Sequence, residues 1–281
     1  MAVALRFSGE IISADSRQVY RGLNIGTGKL TCDEMQGIRH HLIDVMDLGR
    51  RYSVADFQGS AYRIIDEITA RGNLPIMVGG TGLYVRSVVD GYQLTRAQPD
   101  LALRDRLERL TNDELHHLLN ELAPDAAGAI DPRNRRRIIR AVEIREQGFP
   151  YSTAHANAPK YKFCQLGLTW PRDVLRQRIK SRLRQRLDEG MVQEVRKLLG
   201  EGVSFERLEA LGLEYRYVAR FLQGGYASEE ELFDELSRAI YRFAMRQLAW
   251  FRRDKSIIWL DHSKDYKDQA FALIESFIRQ P

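Results

Sequence analysis

The stretch "LPIMVGGTGLY", residues 74–84, constrains the fold more than any other part of this chain. Leu74–Val78 is almost wholly apolar. A strand of that kind is expected where helices cover both faces of a parallel sheet. "GGTG" (79–82) then turns the chain, and a helix from Leu83 to about Val89 is expected to follow. Ahead of it, Ser53 and Asp56 have the spacing of a capping box, and Gly72 supplies a stop, with Pro75 beyond. Ala55, Ile64, Ile65 and Ile68 contribute to a face on the helix between them. Helix, strand, glycine-rich turn and helix together predict an α/β architecture.

Further elements extend this reading. "EIISA" (10–14), "HLIDVMD" (41–47), "KFCQLGLTW" (162–170) and "SIIWL" (256–260) are expected strands. From Leu94 the sequence becomes polar and helical without strand signals, which suggests an inserted helical subdomain over 94–131, between core segments 1–93 and 132–281. Asp131-Pro132 is expected to open a helix running to Gln147, stopped by Gly148. A long helix is predicted from Asp173 to about Leu199, with Leu175, Ile179, Leu183 and Leu187 on one stripe, and another over 228–253. No internal repeat or low-complexity linker is present.

Composition narrows the function classes. The 281 residues carry 43 basic and 38 acidic side chains, a net charge of +5, which permits a polyanionic partner without demanding one. The two cysteines, Cys32 and Cys164, lie far apart and without metal-ligand spacing, so neither a disulfide framework nor a structural zinc site is expected. His40-His41 and His116-His117 lack a carboxylate partner at ligand spacing. No apolar run approaches the ~18 residues a membrane helix needs. No signal peptide is evident in the first residues, and a cytoplasmic protein is expected.

Three groups of residues could carry chemistry. Asp15 stands where the first strand would leave the core, at the edge where open α/β sheets bind ligands. A carboxylate there can be a general base, a magnesium ligand or a turn former. The loop Gly79-Gly80-Thr81-Gly82 can bring backbone donors to an anion, or can simply be a tight turn. Arginines recur in "RNRRRIIR" (133–140), at 178, 182 and 186, and at 238, 242 and 246, the last set interleaved with Tyr241, Trp250 and Phe251. Such ridges suit successive phosphates, although any one of them is also an ordinary solvated face.

"GEIISADSRQVYRGLNIGTGK", "HHLIDVMD", "YSVADF", "LPIMVGGTGLYVRSVVDG" and "RQLAWFRR", in this order from Gly9 to Trp259, resemble the tRNA dimethylallyltransferases. The resemblance implies a P-loop kinase-like α/β core with a parallel sheet and a helical insertion that grips the tRNA anticodon stem-loop. The implied activity is transfer of a dimethylallyl group from dimethylallyl diphosphate, with Mg2+, to the exocyclic amine of the adenosine 3′ of the anticodon. The tRNAs would be those reading codons that begin with U. No metal-ligand set is carried over, and a cytoplasmic monomer without membrane contact is expected.

The resemblance also implies roles. Asp15 matches the family's general base, Thr81 the threonine lining the channel, and Arg182 an arginine beside the departing diphosphate. Ser16, Arg17 and Gln18 match the segment that meets the flipped-out base. Arg104, the stretch Arg136, Arg137, Ile138, Ile139 and Arg140, and the stretch Met245, Arg246, Gln247, Leu248, Ala249, Trp250, Phe251 and Arg252 match tRNA contacts. "LGLEYR" (211–216) stands in place of a further RNA-facing loop.

One departure stands out. Family members begin with a strand and a phosphate loop of the type G-P-T-x-S-G-K-[ST]. Nowhere do the 281 residues contain G-x-x-x-x-G-K-[ST]. "GTGK" (26–29) is followed by Leu30 rather than a hydroxyl residue. The expectation is an N-terminally truncated chain with the first strand and phosphate loop absent. The alternatives are a tRNA-binding form with weak or no catalysis, an adenylate isopentenyltransferase and, last, a nucleotide kinase. The helical insertion and the Arg136–Arg140 cluster favour tRNA over free nucleotide. Without a C-x-x-C and paired His, the shorter bacterial form is expected.

Overall fold

A computed structural model describes residues 1–95, 97–151, 159–262 and 265–279. In chain order the elements are α1 (Ala2–Arg6), β1 (Gly9–Ser13), β2 (His40–His41), α2 (Val54–Ala70), β3 (Leu74–Val78), α3 (Gly82–Val89), α4 (Leu101–Glu108), α5 (Asn112–Leu122), α6 (Pro124–Ala129), α7 (Arg135–Glu146), β4 (Leu166–Thr169), α8 (Arg172–Asp188), α9 (Met191–Gly200), α10 (Phe205–Ala210), α11 (Leu213–Leu222), α12 (Glu229–Phe251), β5 (Ile258–Asp261) and α13 (Tyr266–Ile278). The chain forms two compact units, Met1–Val88 with Tyr161–Pro281, and Val89–Lys160.

In the first unit all strands run parallel, as the α/β reading expects. One sheet has the order β2-β1-β3 and a second pairs β4 with β5. β1 is buried at every position and is central to its sheet. The Ser53–Asp56 capping box is present: the Asp56 N–H donates to Ser53 Oγ (3.2 Å) and the Ser53 N–H to Asp56 Oδ2 (2.8 Å). That helix packs Phe57, Ala61, Ile64, Ile65 and Ile68 on the sheet, with Phe57 stacked on Tyr84 at 4.2 Å. Ala55 is exposed, because the buried face turns through Phe57 and Ala61 instead.

Several elements differ from expectation. β3 is apolar but only half-buried, with Val78 53% exposed; among the described residues it pairs with β1 alone. The expected strand over 41–47 is two residues long. Leu42 (φ +61°) and Asp44 (φ +55°) take left-handed backbone, and Val45 and Met46 then donate N–H bonds to the Val19 carbonyl. The strand over 162–170 shortens to Leu166–Thr169. The single helix over 173–199 is two helices, α8 and α9, broken at Gly190, whose φ of +100° is left-handed and costs glycine least. Only the second half of the predicted stripe is buried, at Leu183 and Leu187. These join α9, α10, α11 and the first half of α12 in a helical core that also takes in Val19, Tyr20 and Leu23.

The second unit is helical, but wider than the 94–131 insertion read from the sequence. It takes in α7, whose Ile138, Ile139, Ala141 and Val142 close a core with Leu103, Leu107, Leu115 and Leu119. Asp131 and Pro132 do not open α7; they lie in a turn, and Asn134 caps the helix by accepting the Arg137 N–H at 3.3 Å. Gly148 (φ +76°) follows its end, as expected. Among the described residues, no helix is long and apolar enough to cross a membrane.

Candidate active site

The first unit brings together one group of the expected residues at the carboxyl ends of β1 and β3. Asp15 sits two residues beyond β1 in an Asx-type turn. Its Oδ1 accepts N–H bonds from Arg17 (2.7 Å) and Gln18 (3.3 Å). Its Oδ2 has no partner among the described residues and is free to accept a proton. The Ser16 N–H donates to Thr81 Oγ1 (3.0 Å), and the Thr81 N–H to the Ala14 carbonyl (3.2 Å). The two strand ends are thereby laced together, with the hydroxyls of Ser16 and Thr81 3.4 Å apart.

Gln18 faces inward and acts as a clamp. Ser13 Oγ donates to its Oε1 (3.0 Å), and its Nε2 reaches the carbonyls of Thr27 (3.3 Å) and Gly28 (3.4 Å). The segment 24–28 is fixed again from below. Glu194 accepts N–H bonds from Asn24, Ile25 and Gly26 at 2.7–3.1 Å and the Tyr215 hydroxyl at 2.7 Å. Gly28 (φ +61°) lies directly against the guanidinium of Arg186, so a β-carbon there would overlap Arg186 Nη2.

Arg186 and Glu214 were not singled out as site residues from the sequence. Arg186 belongs to the 178/182/186 ridge, and Glu214 to "LGLEYR", so both signals were visible, but their meeting was not. Arg186 Nη1 stands 3.5 Å from Glu214 Oε1, and both side chains are largely buried. Burial pushes the Glu214 carboxyl upward and the negative charge of Asp15 adds to this, while Arg186 and Arg182 pull it down. These couplings place Asp15, Glu214, Arg182 and Arg186 in one electrostatic neighbourhood. Arg182 reaches solvent; enclosure by the protein, then the charges of Arg186 and Arg178, draw its pKa below the usual guanidinium value. Enclosure does the same for Arg17. Cations already crowded by like charge gain most from an arriving anion.

The far end of α12 closes against the glycine loop. Gln247 Nε2 donates to the Gly80 carbonyl (2.9 Å), and the Trp250 indole lies where a β-carbon on Gly82 would be. The last buried residue of α12 is Ala239. Met245, Leu248 and Phe251 are half-buried, and Arg246, Ala249, Trp250 and Arg252 are exposed. The end of α12 thus leaves Leu248, Trp250 and Phe251 outside the fully buried core.

The remaining expected residues lie in the second unit, and the structure gives them unequal roles. Arg136 and Arg137 are exposed on α7. Ile138 and Ile139, within the same stretch, are buried in the helical core, so their side chains turn inward. Arg104 and Arg140 both hold the carboxylate of Glu143, which is 0% exposed. Their first task is therefore internal.

Comparison with known proteins decides the family. The family model described as IPP transferase matches residues 18–254. The chain belongs to the IPP transferase family. Among IPP transferase relatives, a tRNA dimethylallyltransferase of Geotalea daltonii is 41% identical over 97% of this chain and 89% of its own. One from Treponema denticola is 44% identical over 90% and 86%. The crystal structure of the full-length tRNA isopentenylpyrophosphate transferase of Bacillus halodurans superposes with a TM-score of 0.71 at 40% identity, covering 98% of this chain and 89% of that one. A eukaryotic dimethylallyltransferase acting on tRNA gives 0.80 at 25% identity, over 99% and 75%. The fold is thus that of an IPP transferase, with a P-loop kinase-like parallel core.

Dimethylallyl diphosphate is the co-substrate of this enzyme class. Among the described residues no three His, Cys, Asp or Glu side chains converge to hold a metal ion. Asp15 Oδ1 and Glu194 are already engaged by backbone donors.

Proposed function

We propose that this chain, acting as a cytoplasmic monomer, transfers a dimethylallyl group from dimethylallyl diphosphate to the exocyclic amine of the adenosine 3′ of the anticodon, in tRNAs reading U-initial codons. The observation that carries the reading is the free Oδ2 of Asp15 at the mouth of β1, held in place through Oδ1 and flanked by Thr81. In the transfer the amine nitrogen forms a bond to the isoprenoid C1. The C1–O bond breaks, and the diphosphate leaves with the electron pair. The amine proton passes to Asp15 Oδ2. An aromatic amine is a poor nucleophile, and a positioned acceptor contributes roughly 10²–10⁴-fold. Arg182, with Arg186 beside it, stabilises charge on the leaving diphosphate. Trp250 and the open end of α12 receive the unstacked nucleotide. Arg136 and Arg137 of the helical unit contact the RNA backbone.

The test is to incubate the chain with unmodified tRNA of this class, dimethylallyl diphosphate and magnesium, then digest to nucleosides and measure isopentenyladenosine by mass. Product is expected. Replacing Asp15 by Asn keeps an oxygen for the Arg17 and Gln18 N–H groups but removes the base, so the rate is expected to fall at least 100-fold, with tRNA still bound. An unchanged rate for D15N would sink the assignment of Asp15. No product from the parent chain with tRNA still bound would reduce it to a binding protein.

A further inference from the structure

A second cationic feature lies in the cleft that α8 and α12 form. Arg176 and Lys180 of α8 and Arg238 and Arg242 of α12 line a cavity of ≈ 380 Å³, with Asp234 the one carboxylate in its wall. Four cations against one acid is an imbalance that a solvated convex ridge tolerates more easily than a concavity, where low-dielectric walls focus the field. Two of the four are held by other groups: Arg176 stacks on the Tyr241 ring at 4.7 Å, and Arg238 leans on the Asp234 carbonyl (3.2 Å) and Glu235 (3.3 Å). Lys180 and Arg242 have no hydrogen-bond or ion-pair partner among the described residues. Both are exposed. The floor contains Ser237, buried, with its hydroxyl donating to the Asp234 carbonyl at 3.0 Å.

We propose that this cleft is a second RNA site, taking backbone phosphates of the tRNA outside the modified nucleotide. The inference rests on the prenyl-transfer reading for the identity of the RNA. Three observations favour a repeating polyanion over a compact ligand. The cations form rows rather than a focus: Arg176 and Lys180 on one helix, Arg238 and Arg242 on the other, each pair one turn apart, with ~5–6 Å between β-carbons. Arg246 continues the α12 row by a further turn. The same helix then reaches the Asp15 site, since Arg242 precedes Gln247 by five residues, about 7–8 Å along the axis. An RNA strand with its base at Trp250 therefore has its neighbouring phosphates within reach of the cleft.

The experiment compares the full chain with K180Q/R242Q, the two single variants, and R196Q, which removes an exposed cation on α9 outside the cleft. Dissociation constants for unmodified tRNA are measured from 50 to 300 mM salt, alongside isopentenyladenosine formation at saturating tRNA. The double variant is expected to weaken binding roughly 10-fold or more near 100 mM salt. Its log–log salt slope should be shallower by about 0.7–0.9 per cation removed, each single variant giving about half the change. R196Q should stay near the parent, and kcat should hold once tRNA saturates. A slope for K180Q/R242Q no different from R196Q would overturn the proposal. So would calorimetry in which inorganic diphosphate binds the parent chain but not the double variant while the RNA slope is unchanged, since the cleft would then serve a small phosphate ligand. If the parent chain forms no isopentenyladenosine, the prenyl-transfer reading fails, and the binding comparison still decides the cleft.

Discussion

Glu143 offers the sharpest physical test of how the helical unit is built. It is 0% exposed. Oε1 accepts the Asp100 N–H (2.6 Å) and Arg104 Nε (2.8 Å), and Oε2 accepts Arg104 Nη2 (2.7 Å) and Arg140 Nη1. Arg140 Nη2 also donates to the Ala97 carbonyl at 2.7 Å. One carboxylate thus ties the start of α4, the segment before it and the middle of α7. In E143Q the amide oxygen can keep one set of donors, but its NH2 meets a guanidinium as a donor facing donors. Breaking a buried pair costs about 3–5 kcal/mol. Arg104 and Arg140 are 30% and 31% exposed, so water recovers part of this and the lower end, ~3 kcal/mol, is expected. The assay is amide hydrogen exchange in α5 and α7, which should accelerate roughly 100-fold. Acceleration below about fivefold would refute the reasoning. The pH dependence has a defined sign. Burial raises the Glu143 carboxyl, but the bonds from Arg104, Arg140 and the Asp100 backbone outweigh it, and the net shift is downward. Its contribution is therefore complete above the ordinary carboxylate range and is lost as pH falls through the depressed native value. A consequence for function follows: R104Q and R140Q should lower tRNA binding in proportion to the loss of folded helical unit, whereas R136Q and R137Q should lower it with exchange unchanged.

Other perturbations test the rest of the molecule. Gly28→Ala should displace Arg186, both through overlap and through φ of +61°, and is expected to reduce prenyl transfer at least 10-fold while tRNA affinity changes little; equal losses in both would count against the diphosphate role of Arg186. Glu10, buried on β1, accepts bonds from Arg71 (3.0 and 2.8 Å), Asn73 (2.8 Å) and His41 (2.7 Å), and the Arg71 bonds above all hold its pKa down to about 2. A depressed carboxylate contributes fully above the unfolded value and is lost as pH falls towards the native one, so about 3 kcal/mol should disappear between roughly pH 4.5 and 2, and E10Q should flatten that part of the urea-stability profile. If E10Q leaves the acid limb unchanged, the network carries no such linkage.

Much of the site is local in sequence and therefore legible in it. The Asp15 turn needs only neighbouring N–H groups, the Ser53–Asp56 box three residues, and the β3–loop–α3 order a single continuous segment. Where the sequence reading failed, the missing information was long-range. Nothing within "HLIDVMD" says that the Val19 carbonyl will draw Val45 and Met46 off the strand path. Nothing in "RNRRRIIR" says which arginines face solvent. That depends on where the apolar face of α7 meets α5, and on Glu143 lying one turn beyond Arg140. The ridge spacing suggested cations for phosphates, but could not separate Arg136 and Arg137, left exposed, from Arg140, which joins Arg104 on a buried charge.

By itself the sequence determined the α/β class, the family, the carboxylate at the end of β1 and the glycine loop beside it, because short-range geometry and the order of motifs are written along the chain. Only the tertiary structure decided which side chains share a space. Residues 15, 28, 81, 186, 214 and 247 come together through strand pairing and helix packing, and the energies that select those contacts depend on burial and on charges far away in sequence. The cleft of Lys180 and Arg242 has the same origin: two unremarkable ridges become a concentrated positive field only when α8 and α12 pack side by side.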